Sequence, residues 1–332
     1  MKLYKYTRFD IGKQIISSSQ IALSKPQDFN DPFDCVPVSN KEDLRKAIDI
    51  LNGYAIDQAI LKSFHEMKDK IKNPIHKVLI SFVLWEYRLA IKLAKHKPTA
   101  YTPMFTNKKF DKLFKFCERS GKVSPEQLLW KEKIALAQSE LELHEREDMN
   151  KMSNMRDDLY VACLSAVCDS ILMWSYYGGD HKGVCVEMEI EEDPRVLFKV
   201  EYCANRPILQ MEKIMKDFCG KVFAQKNSLE IDQDPTLLSL IVQPYISKSK
   251  EWKHEQEYRL IFPEYVLDEV NIKKKMCGDQ KERYMYDVTI TKVFLGAAMS
   301  NEQKIEIRSL IPPEIEVVEM KISENKYELL TQ

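Results

Sequence analysis

Two glutamates, Glu255 and Glu257, stand two residues apart where a polar stretch gives way to an apolar one. The same stretch, Glu251 to Phe262, also holds Trp252, His254 and Arg259. Two carboxylates this close tend to raise the pKa of one of them. Such a pair can grip a ribose hydroxyl and stabilise a developing oxocarbenium ion, or serve as acid and base in a hydrolysis. The residues also describe a strand edge whose glutamates pair with Lys253 and Arg259, and on spacing alone that is the simpler reading.

Two further groups could do chemistry. Asp28, Asn30, Asp31 and Asp34 fall in one short segment with Phe29 and Phe33. Their oxygens could hold a divalent cation or sugar hydroxyls, although Asn and Asp also bond their own backbone in ordinary turns, which is the simpler account. The two Phe rings are expected to anchor the turn to a core. The segment Trp174 to Glu187 carries Tyr176, Tyr177 and, after a glycine pair, His181. His181 could act as a general base or contact a phosphate or ribose, and the aromatic rings could stack on a base or a nicotinamide. Equally, Trp174 could fill the core and His181 cap a tight turn. Lys248 and Lys250 could bind phosphate or favour a helix C-terminus.

These groups need elements to hold them. Leu3–Phe9 and Gln20–Ser24 read as strands, Ile11–Ser18 as a short helix, and the proline-bearing stretch from Lys25 to Asp34 as a turn. Leu159–Ser165 reads as a strand and Ser170–Tyr177 as a short helix. Gly183–Ile190 alternates, with Val184, Val186, Met188 and Ile190 on one face and Cys185, Glu187 and Glu189 on the other. Phe198–Cys203, Tyr286–Gly296 and Ile315–Ile322 complete the strands; Ile208–Phe223, Thr236–Lys248 and Asn301–Ser309 read as helices. In Glu257–Phe262, Glu257, Arg259 and Ile261 share a face, and Glu255 joins them if the strand extends back.

Residues 41–157 differ in character. A helix opens at Asn40 or Lys41 with Glu42 and Asp43 at its positive end. Apolar residues then recur at helical spacing, and Pro74, Pro98, Pro103 and Pro125 divide the run into about five helices. The expected class is therefore α+β: a mixed or antiparallel split sheet built from residues 1–40 and 158–332, interrupted by a helical insertion at 41–157 that acts as a lid or docks a partner protein.

With 332 residues, 44% of them hydrophobic, the chain can bury a large core plus such an appendage. A net charge of −1 gives no general attraction to nucleic acid. No apolar leader and no run long enough to span a bilayer is evident, so a cytoplasmic protein without membrane association is expected. The eight cysteines include no C-x-x-C pair, which makes reduced thiols the expectation and a metal site not. Phosphate-loop, dinucleotide-fold, nucleophile-elbow and H-E-x-x-H signatures are all absent.

Four segments together are familiar in their order: Leu3-Tyr4-Lys5-Tyr6, Asp28 to Asp34, Met173 to Tyr177 with His181 to Cys185, and Lys250-Glu251-Trp252 with Glu255 to Arg259. In this the chain resembles the bacterial domain-of-unknown-function family DUF2971, outside the helical insertion. Where that family has Ser-His-Tyr after the Trp, this chain has Ser175-Tyr176-Tyr177, so a role for a histidine at 176 is lost. A looser resemblance is to ADP-ribosyltransferases, split-sheet proteins with a late Glu-x-Glu at a strand start, like Glu255-Gln256-Glu257. That resemblance implies NAD as cofactor and an intracellular toxin or phage-defence effector as context. Glu257 would hold the ribose and Glu255 orient the acceptor, with His181 as a further catalytic group. Tyr6, Ser24, Asn30, Asp31, Trp174, Tyr177 and Arg259 would contact the cofactor, and the acceptor would be a protein or nucleic acid. Two other expectations remain beside it: a non-enzymatic nucleotide- or protein-binding sensor, and a metal-dependent nuclease using Asp31, Asp34, Glu187 and Glu257.

Overall fold

The alternation over Gly183–Ile190 is a strand buried on both sides, and it shows how the sheet sorts its residues. In the computed structural model, residues 1–38, 40–67, 81, 85, 89, 92, 155–224, 240–268, 270, 272–277 and 281–331 are described. In chain order the early elements are β1 (Lys2–Thr7), α1 (Phe9–Ser18), β2 (Gln20–Ala22) and α2 (Lys41–Met67). There follow β3 (Leu159–Ser165), α3 (Ile171–Tyr176), β4 (Val184–Glu189), β5 (Leu197–Lys199), β6 (Glu201–Cys203) and α4 (Met211–Ala224). Then come β7 (Ser247–Ser249), β8 (Glu257–Pro263), β9 (Lys273–Met276), β10 (Glu282–Asp287), β11 (Thr289–Leu295), α5 (Asn301–Leu310), β12 (Glu316–Ile322) and β13 (Leu329–Thr331).

The chain forms two units. One comprises Met1–Pro37, Met155–Pro207 and Gln243–Gln332; the other comprises Val38–Asn154 and Ile208–Val242. The first contains an eight-stranded sheet in the order β13-β12-β11-β4-β1-β3-β8-β5. Its pairs are antiparallel except β11 with β12, which makes the sheet mixed and the class α+β.

Register assigns each residue to a face, because directly paired residues point the same way. Leu3 pairs with Met188, and Ala162 with Leu260. These residues join Val184, Val186, Leu164 and Phe262 in the main core, covered by Ile15 and Ile16 of α1 and Ile307 of α5. The opposite face is different. There Tyr4 pairs with Glu187, Tyr6 with Cys185, Cys163 with Arg259 and Ser165 with Glu257. One face of the sheet thus carries the main core, and the other carries a second apolar cluster around Trp174, Cys185 and Phe294 together with the polar groups; a one-residue slip would exchange the faces.

The pairing within the sheet is sparse at one place. β1 and β3 pair at a single position, Tyr4 with Ser165. Residues of both strands line a cavity beside that pair.

Short-range chemistry explains the turn that returns the chain to β4. Gly183 approaches the backbone of Thr7 so closely that a Cβ would collide with the Thr7 carbonyl oxygen. Neither strand can give way without breaking the β1–β4 ladder. Gly183→Ala is expected to lower the unfolding free energy by about 1–3 kcal/mol, the usual range for overpacking, as read from urea melts. A loss under about 0.5 kcal/mol, the surface-substitution range, would mean the turn can shift freely.

In the second unit, Asn40 caps α2 by accepting from Glu42 N at 2.9 Å. Asp43 of that first turn accepts from Met211 N at 2.6 Å and so caps the start of α4. The acidic residues therefore serve two helix N-termini. The remaining helices expected within 41–157 lie outside the described residues, as do the proline boundaries expected there. Among the described residues, no helix is long and apolar enough to cross a membrane.

Two expected elements differ. The helix expected up to Lys248 ends earlier: Gln243–Tyr245 is a 3₁₀ turn, and Lys248 lies on β7, parallel to β6. The expected strand Phe198–Cys203 is two strands in two sheets, because β5 pairs with β8 and β6 with β7.

Candidate functional site

The expected strand extension from Glu257 back to Glu255 does not form. Lys250–Glu255 is a 3₁₀ helix, and Gln256 follows it in the left-handed region at φ 44°. That single reversed residue folds Glu255 back toward Glu257, which strand alternation would have kept as a row neighbour. Glu255 and Glu257 are each 3% exposed.

Lys248 links them. Its Nζ donates to Glu255 Oε2 at 2.5 Å and to Glu257 Oε2 at 3.1 Å, and lies 3.4 Å from Asp34 Oδ2. Arg259 is wholly buried next to them. Its Nε and Nη2 donate to the two oxygens of Glu257 at 2.8 and 3.0 Å, and Nη2 also donates to Asp34 Oδ2 at 2.8 Å. Its Nη1 donates to the Tyr245 carbonyl at 2.6 Å and to Cys35 Sγ at 3.0 Å. Cys35 itself sits in the left-handed region, φ 53°, which turns its sulfur toward the guanidinium. Three carboxyl groups thus meet two cations.

The two glutamates are not equivalent. Burial pushes the Glu257 carboxyl up, but Arg259 and Lys248 together outweigh it and hold the group well below the ordinary carboxylate range. Burial likewise pushes Glu255 up. There Lys248 opposes the shift, the charge of Glu257 adds to it, and the group stays raised. Tyr177 tempers the rise by donating its hydroxyl to Glu255 Oε1 at 2.7 Å. Divergent acidities in one carboxyl pair are the usual signature of divided acid–base roles.

The pair opens on a cavity of about 280 Å³. Tyr4, Lys5 and Tyr6 of β1 line it, with Val161, Cys163 and Ser165 of β3. Ser24, Asp28, Phe29, Asn30 and Asp34 contribute from the turn side, and Tyr177 and Lys248 complete the wall beside the glutamates. Phe29 lies over the Arg259 guanidinium with 5.7 Å between them. Tyr4 is fixed from behind, donating to Glu187 at 3.0 Å, while Lys2 and Thr291 bond the same carboxylate.

Six of the expected site residues therefore meet in one place: Glu255, Glu257, Tyr6, Ser24, Asn30 and Tyr177. Four do not line the cavity. Trp174 has no exposed surface; it packs edge-on to Tyr6 at 5.3 Å and donates from its indole to the Cys168 carbonyl, so it is core. His181, at φ 62°, is part of the turn after α3, with its ring stacked 6.3 Å from Trp174 and its Nε2 3.1 Å from Ser175 Oγ. Asp31 caps its own turn by accepting from Phe33 N at 2.9 Å. Arg259 is the buried partner of Glu257 and Asp34. Phe33, expected to anchor the turn, is 64% exposed and lies against Arg206 instead.

Lys248, read from sequence as a phosphate ligand or helix-end residue, and Asp34, read as a cation or sugar ligand or a turn residue, instead tie the cluster together. Asp31 and Glu187, which a nuclease would need beside Asp34 and Glu257, do not line the cavity. Among the described residues, no group of three or more His, Cys, Asp or Glu is disposed to hold a metal ion.

The cluster's last parts, Tyr177 and Lys248 through Arg259, fall in one continuous segment. Residues 173–260 match DUF2971, a protein family of unknown function. The DUF2971 segment runs from α3 through β4 to the middle of β8, so it supplies both glutamates and Lys248. The remaining wall, β1, β3 and the Asp28–Asp34 turn, comes from outside the DUF2971 segment. No curated protein and no solved structure matches the chain.

Proposed function

We propose that the cavity binds the nicotinamide riboside end of NAD and that the protein acts on the nicotinamide–ribose bond, as an ADP-ribosyltransferase or NAD glycohydrolase. The carrying observation is the pair of buried carboxyls that share Lys248 at one cavity wall while their acidities are pushed apart. The sparse pairing of β1 with β3, with the cavity and its glutamate pair beside it, supports the reading. A cavity of about 280 Å³ suits one ring-plus-ribose unit rather than a whole dinucleotide.

The chemistry follows from the charges. When the N-glycosidic bond breaks, nicotinamide leaves neutral with the bonding pair and the ribose carbon becomes cationic. Glu257, held ionised, stabilises that cation electrostatically. An acceptor hydroxyl or water then forms the new bond and gives its proton to Glu255. Tyr177 orients Glu255 and presents its ring to the cavity, the stacking role for which Trp174 is too deeply buried.

The test is incubation with NAD, alone and with protein and nucleic-acid acceptors, followed by chromatography for nicotinamide. Release is expected; its absence in every arm overturns the reading. NAD raising the melting temperature with no release would instead favour the sensor module. Because Glu255 must be ionised to take a proton, turnover should fall on an acid limb above pH 4.5, the ordinary value. Tyr177→Phe removes a donor that lowers the Glu255 pKa, so the limb should move to higher pH. A limb that stays put would separate Glu255 from proton transfer.

A further inference from the structure

Three rings near the glutamate pair take no part in the cavity wall. Tyr176 ends α3, and Trp252 and His254 belong to the 3₁₀ turn Lys250–Glu255. They meet one another. Ring centres are 6.4 Å apart for Tyr176 and Trp252, 6.1 Å for Tyr176 and His254, and 5.9 Å for Trp252 and His254. Trp252 and His254 are half-buried, whereas Tyr176 is 63% exposed. The turn beneath them is braced: Ser249 Oγ accepts from Glu251 N at 3.4 Å, and His254 Nδ1 lies 3.1 Å from the Glu251 carbonyl oxygen. A ring supported by two others and largely open to solvent is a platform on which a planar ligand group can stack.

The platform adjoins the mouth of the cavity. Among the residues that line the cavity, Asp28 and Asn30 are the exposed ones, which places the opening at their turn. The Asn30 amide donates to the Tyr177 hydroxyl at 3.4 Å, and Tyr177 directly follows Tyr176. On the inner side, the Lys248 ammonium that bonds both glutamates lies 5.1 Å from the centre of the Trp252 ring.

Size and charge select the occupant. A cavity of about 280 Å³ takes one ring and its ribose, so the diphosphate and the second nucleoside of a dinucleotide lie outside it. The turn that carries Trp252 exposes Lys250 and Lys253 against a single exposed carboxylate, Glu251, and so offers the diphosphate a net positive neighbour. An apolar peptide side chain would use the rings and leave the lysines idle; a base joined to phosphate uses both. We infer that Tyr176, braced by Trp252 and His254, stacks on the adenine of the ligand whose nicotinamide end enters the cavity. This rests on the reading of the cavity as a nicotinamide riboside site.

Tyr176→Ala and Tyr176→Phe test it, with Tyr176→Leu, which keeps apolar bulk but has no ring, serving if the alanine variant does not fold. Calorimetric titrations would use ADP-ribose, AMP and nicotinamide mononucleotide. Loss of the ring is expected to weaken ADP-ribose and AMP by about 5- to 150-fold, the span of one base–aromatic stack. Nicotinamide mononucleotide should change less than twofold, and Tyr176→Phe should bind all three like wild type. A loss below fivefold for ADP-ribose in a folded ring-less variant overturns the inference. So does an equal loss for nicotinamide mononucleotide, which would make Tyr176 a support of the cavity. Nicotinamide release from NAD with ADP-ribose affinity indifferent to Tyr176 removes the platform and leaves the reaction standing. AMP bound through Tyr176, with no binding of nicotinamide mononucleotide and no release, keeps the base site and removes the reaction. If none of the three ligands binds, both fall.

Discussion

Arg259→Met should lower the unfolding free energy by about 3–5 kcal/mol, the range for removing one partner of a buried ion pair. The guanidinium has no exposed surface and makes bonds to Glu257, Asp34, the Tyr245 carbonyl and Cys35 Sγ. Methionine fills much of the volume but leaves Glu257 and Asp34 buried with Lys248 as their single cation. Arg259→Lys should recover less than half of the loss, because one ammonium cannot reproduce a planar fork that reaches four partners. Urea unfolding followed by circular dichroism measures both. The surface pair Arg308–Glu319 is the control; breaking it should change stability by no more than about 1 kcal/mol. A loss below about 1 kcal/mol for Arg259→Met would place the cluster in that surface class and remove its role as a clamp between β8 and the Asp34 turn.

The pH dependence of that clamp has a definite sign. The Glu257 pKa is depressed in the folded protein, so its contribution is fully present above the ordinary carboxylate value of 4.5 and is lost as pH falls toward the folded value. Glu255 runs oppositely. Its pKa is raised, so what it contributes is present below 4.5 and lost as pH rises through the folded value. Falling pH therefore removes the Glu257 contribution while restoring that of Glu255, so the two carboxyls pull the stability profile in opposite directions.

What the sequence could show was periodic. Val184, Val186, Met188 and Ile190 alternate against Cys185 and Glu187, and that alternation alone assigns the two faces of β4. Glu257 and Arg259 share a face for the same reason, and both are buried on it. Asn40 and the acids after it announced the start of α2 through capping chemistry. What the sequence concealed depended on single backbone angles and on burial. Nothing marks Gln256 as left-handed, yet its φ of 44° brings Glu255 to Lys248. Asp31 and Asp34 look alike in one turn, and the left-handed Cys35 after Asp34 is part of what separates a cap from a cluster residue. Trp174 and Tyr177 suggested stacking rings, but Tyr177 lies just past the end of α3, so one ring enters the core and the other residue reaches the cavity. Lys248 was hidden because an apolar run before it has helical spacing, whereas Ser247–Ser249 pairs with Glu201–Cys203 as a strand.

Glu257→Gln should reduce nicotinamide release from NAD by about 10³-fold, within the range for removing a preorganised electrostatic stabiliser. Glu255→Gln should reduce it by only about 10²-fold, the lower end for a general base. The difference comes from what each group does in the transition state. A neutral amide at 257 offers no countercharge to a ribosyl cation, whereas water can replace the proton acceptor lost at 255. Glutamine at 257 keeps one oxygen for Arg259 but turns an NH₂ toward Lys248 or the guanidinium, so some stability is lost with the rate. Melting temperature and ADP-ribose affinity therefore have to be measured on the same preparation. If the 257 variant still binds ADP-ribose within threefold of wild type, the whole rate loss belongs to the transition state, appearing in kcat with KM little changed. If it retains more than a tenth of wild-type turnover, the depressed acidity of Glu257 serves only to pair Arg259. The glutamate pair would then be a buried structural ion network at the wall of a binding cavity, and the sensor reading would take the place of the enzyme.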